Sequence, residues 1–113
     1  MARDAARPDA LTPATLHVLL ALGRGPLHGY AIMRQVEEDS GTVMGPGTVY
    51  GTLTRLERAG WVEDAGEDGS DPRRGRLFAL TRSGRKALEQ EIARIHRVAE
   101  LARERRIVPG EGR

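Results

Sequence analysis

The chain contains no cysteine. Disulfides, thiolate catalysis and cysteine-built metal sites are therefore excluded, and the composition suits a reducing compartment. Aromatic residues are scarce: Tyr30, Tyr50, Trp61 and Phe78 are the whole supply. Lysine is nearly missing too. Lys86 stands alone, and arginine carries the rest of the basic charge. No apolar run approaches the roughly 20 residues that a membrane helix needs. The N-terminus has no charged-then-apolar secretion pattern, so a soluble intracellular protein is expected. Chemistry is equally thin. No Ser/His/Asp grouping, phosphate-cradling glycine loop or paired carboxylates can be found. His17, His28 and His96 fall on separate elements without ligand spacing. An enzyme, a metal and a cofactor are all unexpected.

What is present suits one small domain: 113 residues, 39% hydrophobic and 30% charged. The net charge of +2 says little about partners. Its distribution says more. Arg73, Arg74, Arg76, Arg82, Arg85 and Lys86 follow one another with no acid between them, just after Glu63, Asp64, Glu67, Asp68 and Asp71. Arginine suits two-pronged contact with phosphate or guanine.

Residues 45 to 62 are the most telling segment. Val49, Leu53 and Leu56 recur at helical spacing and predict a buried face. Thr48, Thr52 and Arg55 repeat that spacing one residue earlier, beside the bare backbone of Gly47 and Gly51. A helix entering a DNA major groove needs such a low-bulk face. Gly60 is placed as the helix stop. Upstream, Tyr30, Ile32, Met33 and Val36 predict a helix ending at Gly41, which makes a helix-turn-helix. Downstream, Trp61 to Ala65 and Arg76 to Leu80 predict a two-stranded hairpin around a Gly- and Asp-rich loop. Thr12 and Pro13 start a first helix, and Thr81 caps a last one.

These residues carry a resemblance. His28-Gly29-Tyr30, Pro46-Gly47-Thr48-Val49-Tyr50, Leu53, Arg55-Leu56-Glu57, Gly60, and Arg73-Arg74-Gly75-Arg76 running into Leu80-Thr81-Arg82-Ser83-Gly84 resemble, in order, the PadR-like transcriptional regulators of the short type. Gly51 departs from the Pro that many members carry after Tyr50, and Phe78 from a frequent Tyr. The resemblance implies a winged helix-turn-helix with a long C-terminal dimerisation helix, a mainly α fold with a small β-hairpin. It divides the chain into a flexible arm (1–11), the DNA-binding domain (12–81), the dimerisation helix (82–106) and a frayed tail (107–113).

Double-stranded DNA and a second copy of the chain are the expected partners, in a repressor that binds a two-fold-related operator. Thr48, Thr52, Tyr50 and Arg55 are the candidates on the recognition helix. Arg55 suits a guanine edge and a phosphate equally. Arg34 and Gln35 are candidates on the preceding helix. Arg73, Arg74 and Arg76 are candidates on the wing, where the adjacent acids oppose contact. The stripe Leu88, Ile92, Ile95, Ala99 and Ala102 predicts a helix pairing with a second copy, with Leu16 and Leu20 of the first helix at the same interface. Two alternatives remain. One is a winged helix used to bind protein. The other is a regulator gated by a small-molecule effector in a pocket at the dimer interface. Relatives that hold flat apolar effectors stack them on an aromatic side chain of the long helix, and this helix has none.

Overall fold

The computed structural model describes residues 11–67, 75–107 and 109. Among them the order is α1 (Pro13–Ala21), β1 (Leu27–His28), α2 (Gly29–Ser40), α3 (Pro46–Arg58), β2 (Val62–Glu67), β3 (Arg76–Leu80) and α4 (Arg82–Glu104). The elements begin and end where local chemistry requires. Thr12 Oγ1 accepts the Thr15 N–H at 3.1 Å, with Pro13 opening α1. Gly41 ends α2 at a φ of 75°. At the end of α3, Gly60 takes a φ of 81°. Its N–H reaches the Glu57 carbonyl, and the Trp61 N–H reaches that of Leu56, each at 3.0 Å. This is a Schellman closure, which only a residue tolerant of left-handed backbone completes cheaply.

The wing is a three-stranded antiparallel sheet in the order β1-β3-β2, one strand more than the sequence predicts. Leu27 and His28 pair with Phe78 and Leu77. Two residues give too short a pattern for periodicity to register, and the pairing supplies what the sequence signal lacks. Between Asp64 and Glu67 the β2–β3 ladder carries an irregularity. There Gly66 has a φ of 94°, and its N–H bonds the Asp64 carboxylate at 2.7 Å.

One core joins all the layers. Val18, Leu19 and Leu22 meet Ile32 and Val36 of α2, Val49, Leu53 and Leu56 of α3, and Phe78 of β3. Trp61, Val62 and Leu88 close its edge. Leu88 therefore belongs to the chain's own core and is removed from the predicted dimer stripe. The first three turns of α4 lie against the body, which buries Gly84, Leu88 and Glu91. Leu16 is likewise partly buried against this core. Leu11, predicted as part of a loose arm, packs there too, and its backbone N–H bonds Glu91. Residues 1–10 and most of the predicted tail lie outside the described residues.

Thr81 fixes the start of α4. Its hydroxyl donates to the Gly60 carbonyl at 2.6 Å and accepts the Gly84 N–H at 2.9 Å. Its own N–H reaches the Trp61 carbonyl at 3.0 Å. Gly84 is required here because a β-carbon would run into that same carbonyl. The Arg85 guanidinium also reaches the Gly23 carbonyl at 3.1 Å, which ties α4 to the turn after α1.

Candidate nucleic-acid interface

On α3 the buried arc takes in Val49, Thr52, Leu53 and Leu56. Thr52 is thus part of the core, only 1% exposed, and is corrected out of the partner-facing set. The cause is angular. At about 100° per residue, Thr52 lies on the flank of the Val49–Leu56 line, and the packing of α3 is wide enough to include it. Its hydroxyl accepts from Arg55 Nη2 at 3.3 Å, so it touches the exposed surface only through Arg55.

The outward face of α3 consists of Gly47, Thr48, Gly51, Thr54, Arg55 and Arg58, all exposed except the half-covered Gly51. Thr54 and Arg58 are absent from the sequence-based candidates. The spacing of Gly47, Gly51, Thr54 and Arg58, in steps of four, three and four, was the available signal. The Thr54 hydroxyl donates back to the Tyr50 carbonyl at 2.9 Å. Arg58 makes no ion pair among the described residues.

Tyr50 lies on the flank of this face. Its ring meets the edge of Phe78 at a centroid distance of 6.3 Å and covers Gly29, where a β-carbon would strike it. Across a shallow groove of about 730 Å³ stand Tyr30, Arg34, Gln35 and Glu38 of α2. The Arg34 guanidinium stands 6.0 Å from the centre of the Tyr30 ring. Gln35 donates to Asp39 at 3.0 Å, which occupies part of its capacity. His28 occupies the capping position of α2, yet its ring does not cap the helix; Nδ1 faces the Arg76 carbonyl at 3.3 Å.

On the wing, Arg76 Nη1 lies 3.1 Å from Asp64 and 3.6 Å from Glu57. The expected phosphate ligand already holds two carboxylates. Asp64 is held below the usual carboxylate range, chiefly by the Gly66 N–H and then by Arg76. Arg73 and Arg74 lie outside the described residues.

Residues 18–90 match the model of the transcriptional regulator PadR-like family. The chain belongs to that family. A PadR family transcription regulator of Clostridium difficile R20291 shares the fold, with a TM-score of 0.71 at 22% identity over 82% of this chain and 97% of that one. RosR of H. salinarum aligns at 27% identity with a TM-score of 0.64, covering 85% of this chain and 94% of its own. BpsR of Bordetella bronchiseptica, whose DNA binding is regulated by 6-hydroxynicotinic acid, aligns at 25% identity and a TM-score of 0.63, over 82% of this chain and 66% of that one. A 37.1 kDa protein in transposon TN4556 of Streptomyces fradiae is 46% identical over 89 residues, or 79% of this chain. The PadR-like chain spans 24% of that relative's length.

Among the described residues, no helix is long and apolar enough to cross a membrane. The predicted dimer stripe continues past the body of this PadR-like fold. Ile92 is 42% exposed, and Ile95 and Val98 are open beside it. Ala99 is exposed and Ala102 partly covered on the same line. Leu20 of α1 is 37% exposed, while its neighbours Val18, Leu19, Ala21 and Leu22 are buried.

Proposed function

We propose that this PadR-like chain is a homodimeric regulator that seats two α3 helices in successive major grooves of a two-fold-related operator and represses by covering a promoter. A bacterial cytoplasm is its setting. The observation that carries the proposal is the outward face of α3. Gly47, Thr48, Gly51, Thr54, Arg55 and Arg58 expose small groups and two cations, with no carboxylate among them. An α-helix about 10–12 Å across fits a major groove about 12 Å wide only when its leading side lacks bulk. Arg55 and Arg58 can then reach guanine edges or phosphates, and Arg34 with Tyr30 can reach the backbone from α2.

Pairing is supported by the open stripe Ile92, Ile95, Ala99 and Ala102, with Leu20 beside it. Exposed aliphatic side chains in a row along one helix favour a second copy over water. The DNA binding named for BpsR supports the partner class. No aromatic side chain lies on α4 to stack an effector, so none is proposed.

Selection of bound duplexes from a random pool tests the proposal. The expected outcome is a palindromic element with half-sites about 34–36 Å apart, or a multiple of that spacing. Binding should weaken steeply with salt as counterions are released. A pool that converges on no sequence, at salt low enough for complexes to form, overturns it.

A further inference from the structure

We infer that Arg76 is a positioning residue, which ties the wing to the recognition helix and contacts no phosphate. The inference rests on α3 being that helix. Arg76 begins β3, yet its Nη1 donates to Asp64 of β2 at 3.1 Å and stands 3.6 Å from the Glu57 carboxylate of α3. The guanidinium carbon lies 4.8 Å from the centre of the Phe78 ring. Phe78 is fully buried and packs against Tyr50 of α3. One side chain of β3 thus links that strand to β2 and to α3.

Two features make the tether directional. The β2–β3 ladder is irregular between Asp64 and Glu67, so backbone pairing holds this stretch less firmly than a regular ladder would. The Gly66 N–H fixes one oxygen of Asp64 at 2.7 Å while Arg76 takes the other. The charges also argue against a phosphate. One guanidinium between two carboxylates makes a net negative cluster, and an anion approaching Arg76 meets that charge. The cation expected from sequence to grip the backbone is already spent within the fold.

Two measurements on the full chain test this. The first needs no DNA: amide hydrogen exchange in Val62–Glu67 and Arg76–Leu80 of the free protein. Arg76→Gln and, from the other end of the tether, Glu57→Gln should each raise exchange in these strands. The second is the salt dependence of operator binding. Arg76→Gln should weaken binding about two- to fivefold, the range of exposed ion pairs, with an unchanged slope of log affinity against log salt. A slope shallower by about 0.9 would make Arg76 a phosphate contact and overturn the inference. Unchanged exchange in both variants would overturn it as well. A wild-type chain that binds no DNA would instead sink the regulator proposal and leave the exchange result standing.

Discussion

The phenol ring of Tyr50 on α3 covers the backbone of Gly29 on α2, and no α2 side chain lies between them at this point. A β-carbon at position 29 would lie 2.9 Å from the ring's Cε1 and nearer still to Cζ and the hydroxyl. Tyr50 is 45% exposed, but it could withdraw only by giving up its edge contact with Phe78. Gly29→Ala is expected to cost about 1–3 kcal/mol, the usual range for overpacking. Denaturant midpoints would show it. Adding Tyr50→Leu should recover most of the loss; an unrelieved loss would place the clash elsewhere.

Gly51 sits mid-helix and has no such packing reason. A β-carbon there would meet only the Arg55 Nη1, at an ordinary 3.9 Å. Gly51→Ala should therefore stabilise the free protein by about 0.5–1 kcal/mol. If α3 enters a groove, the same change should weaken operator binding, because the methyl stands on the outward face. Melting temperature and affinity moving in opposite directions is the expected result. An unchanged affinity would put Gly51 off the contact line.

Arg55 and Arg58 divide the positive charge of that face. Arg55 folds back onto Thr52, whereas Arg58 has no ion pair among the described residues. Each change to Ala should cost roughly 1–3 kcal/mol in operator affinity, with the melting temperature held. Where a residue reads a base, preference should also relax at one operator position. Full affinity in either variant removes that arginine from the interface.

Leu88 and Ile92 are one turn apart on α4, but the first is buried in the chain's own core and the second is open. Aspartate should separate their roles, since a buried unpaired carboxylate is costly. Leu88→Asp is expected to unfold the monomer. Ile92→Asp is expected to leave a folded monomer in place of the proposed dimer at micromolar concentration. Equilibrium sedimentation with circular dichroism would tell them apart, and a wild-type monomer would remove the dimer.

Glu91 is 6% exposed and is gripped by Arg94 through bonds of 3.0 and 2.9 Å, with the Leu11 N–H as a further donor. Arg94 above all holds its carboxyl below the usual range. The lowered folded value means that the stabilisation is complete above the ordinary glutamate value, about 4.3, and is lost as pH falls through the lower folded value. Glu91→Gln should therefore lie below wild type in stability at neutral pH. The gap should narrow on acidification below about pH 4. Melting curves of both chains across that window check this, and a gap independent of pH would refute it.

Much of this was legible from local chemistry. Thr12, Gly41, Gly60 and Thr81 mark element ends because capping depends on a few adjacent residues. Val49, Leu53 and Leu56 gave the inner side of α3 by spacing alone. What was not legible depended on long-range contacts. The strand at Leu27–His28 exists only because β3 pairs with it. Thr52 is buried because neighbouring elements close over a wider arc than the apolar residues marked. The partners of Arg76 lie nineteen and twelve positions upstream, at Glu57 and Asp64, and no sequence pattern distinguishes them from the four other acids of that stretch, Glu63, Glu67, Asp68 and Asp71.

Thr81 joins α4 to the winged-helix body with no slack. Its hydrogen bonds to Gly60, Trp61 and Gly84 span the junction, and α4 then runs uninterrupted from Arg82 to Glu104. In the proposed dimer this makes the molecule a caliper. The separation and relative twist of the two α3 helices would be set by stiff struts, where a flexible hinge would allow adjustment. A base pair added between half-sites moves one of them by about 3.4 Å along the duplex and turns it by about a tenth of a revolution. Rigid arms cannot follow both displacements. Such a regulator would forgive a changed base within a half-site more readily than a changed gap between the two.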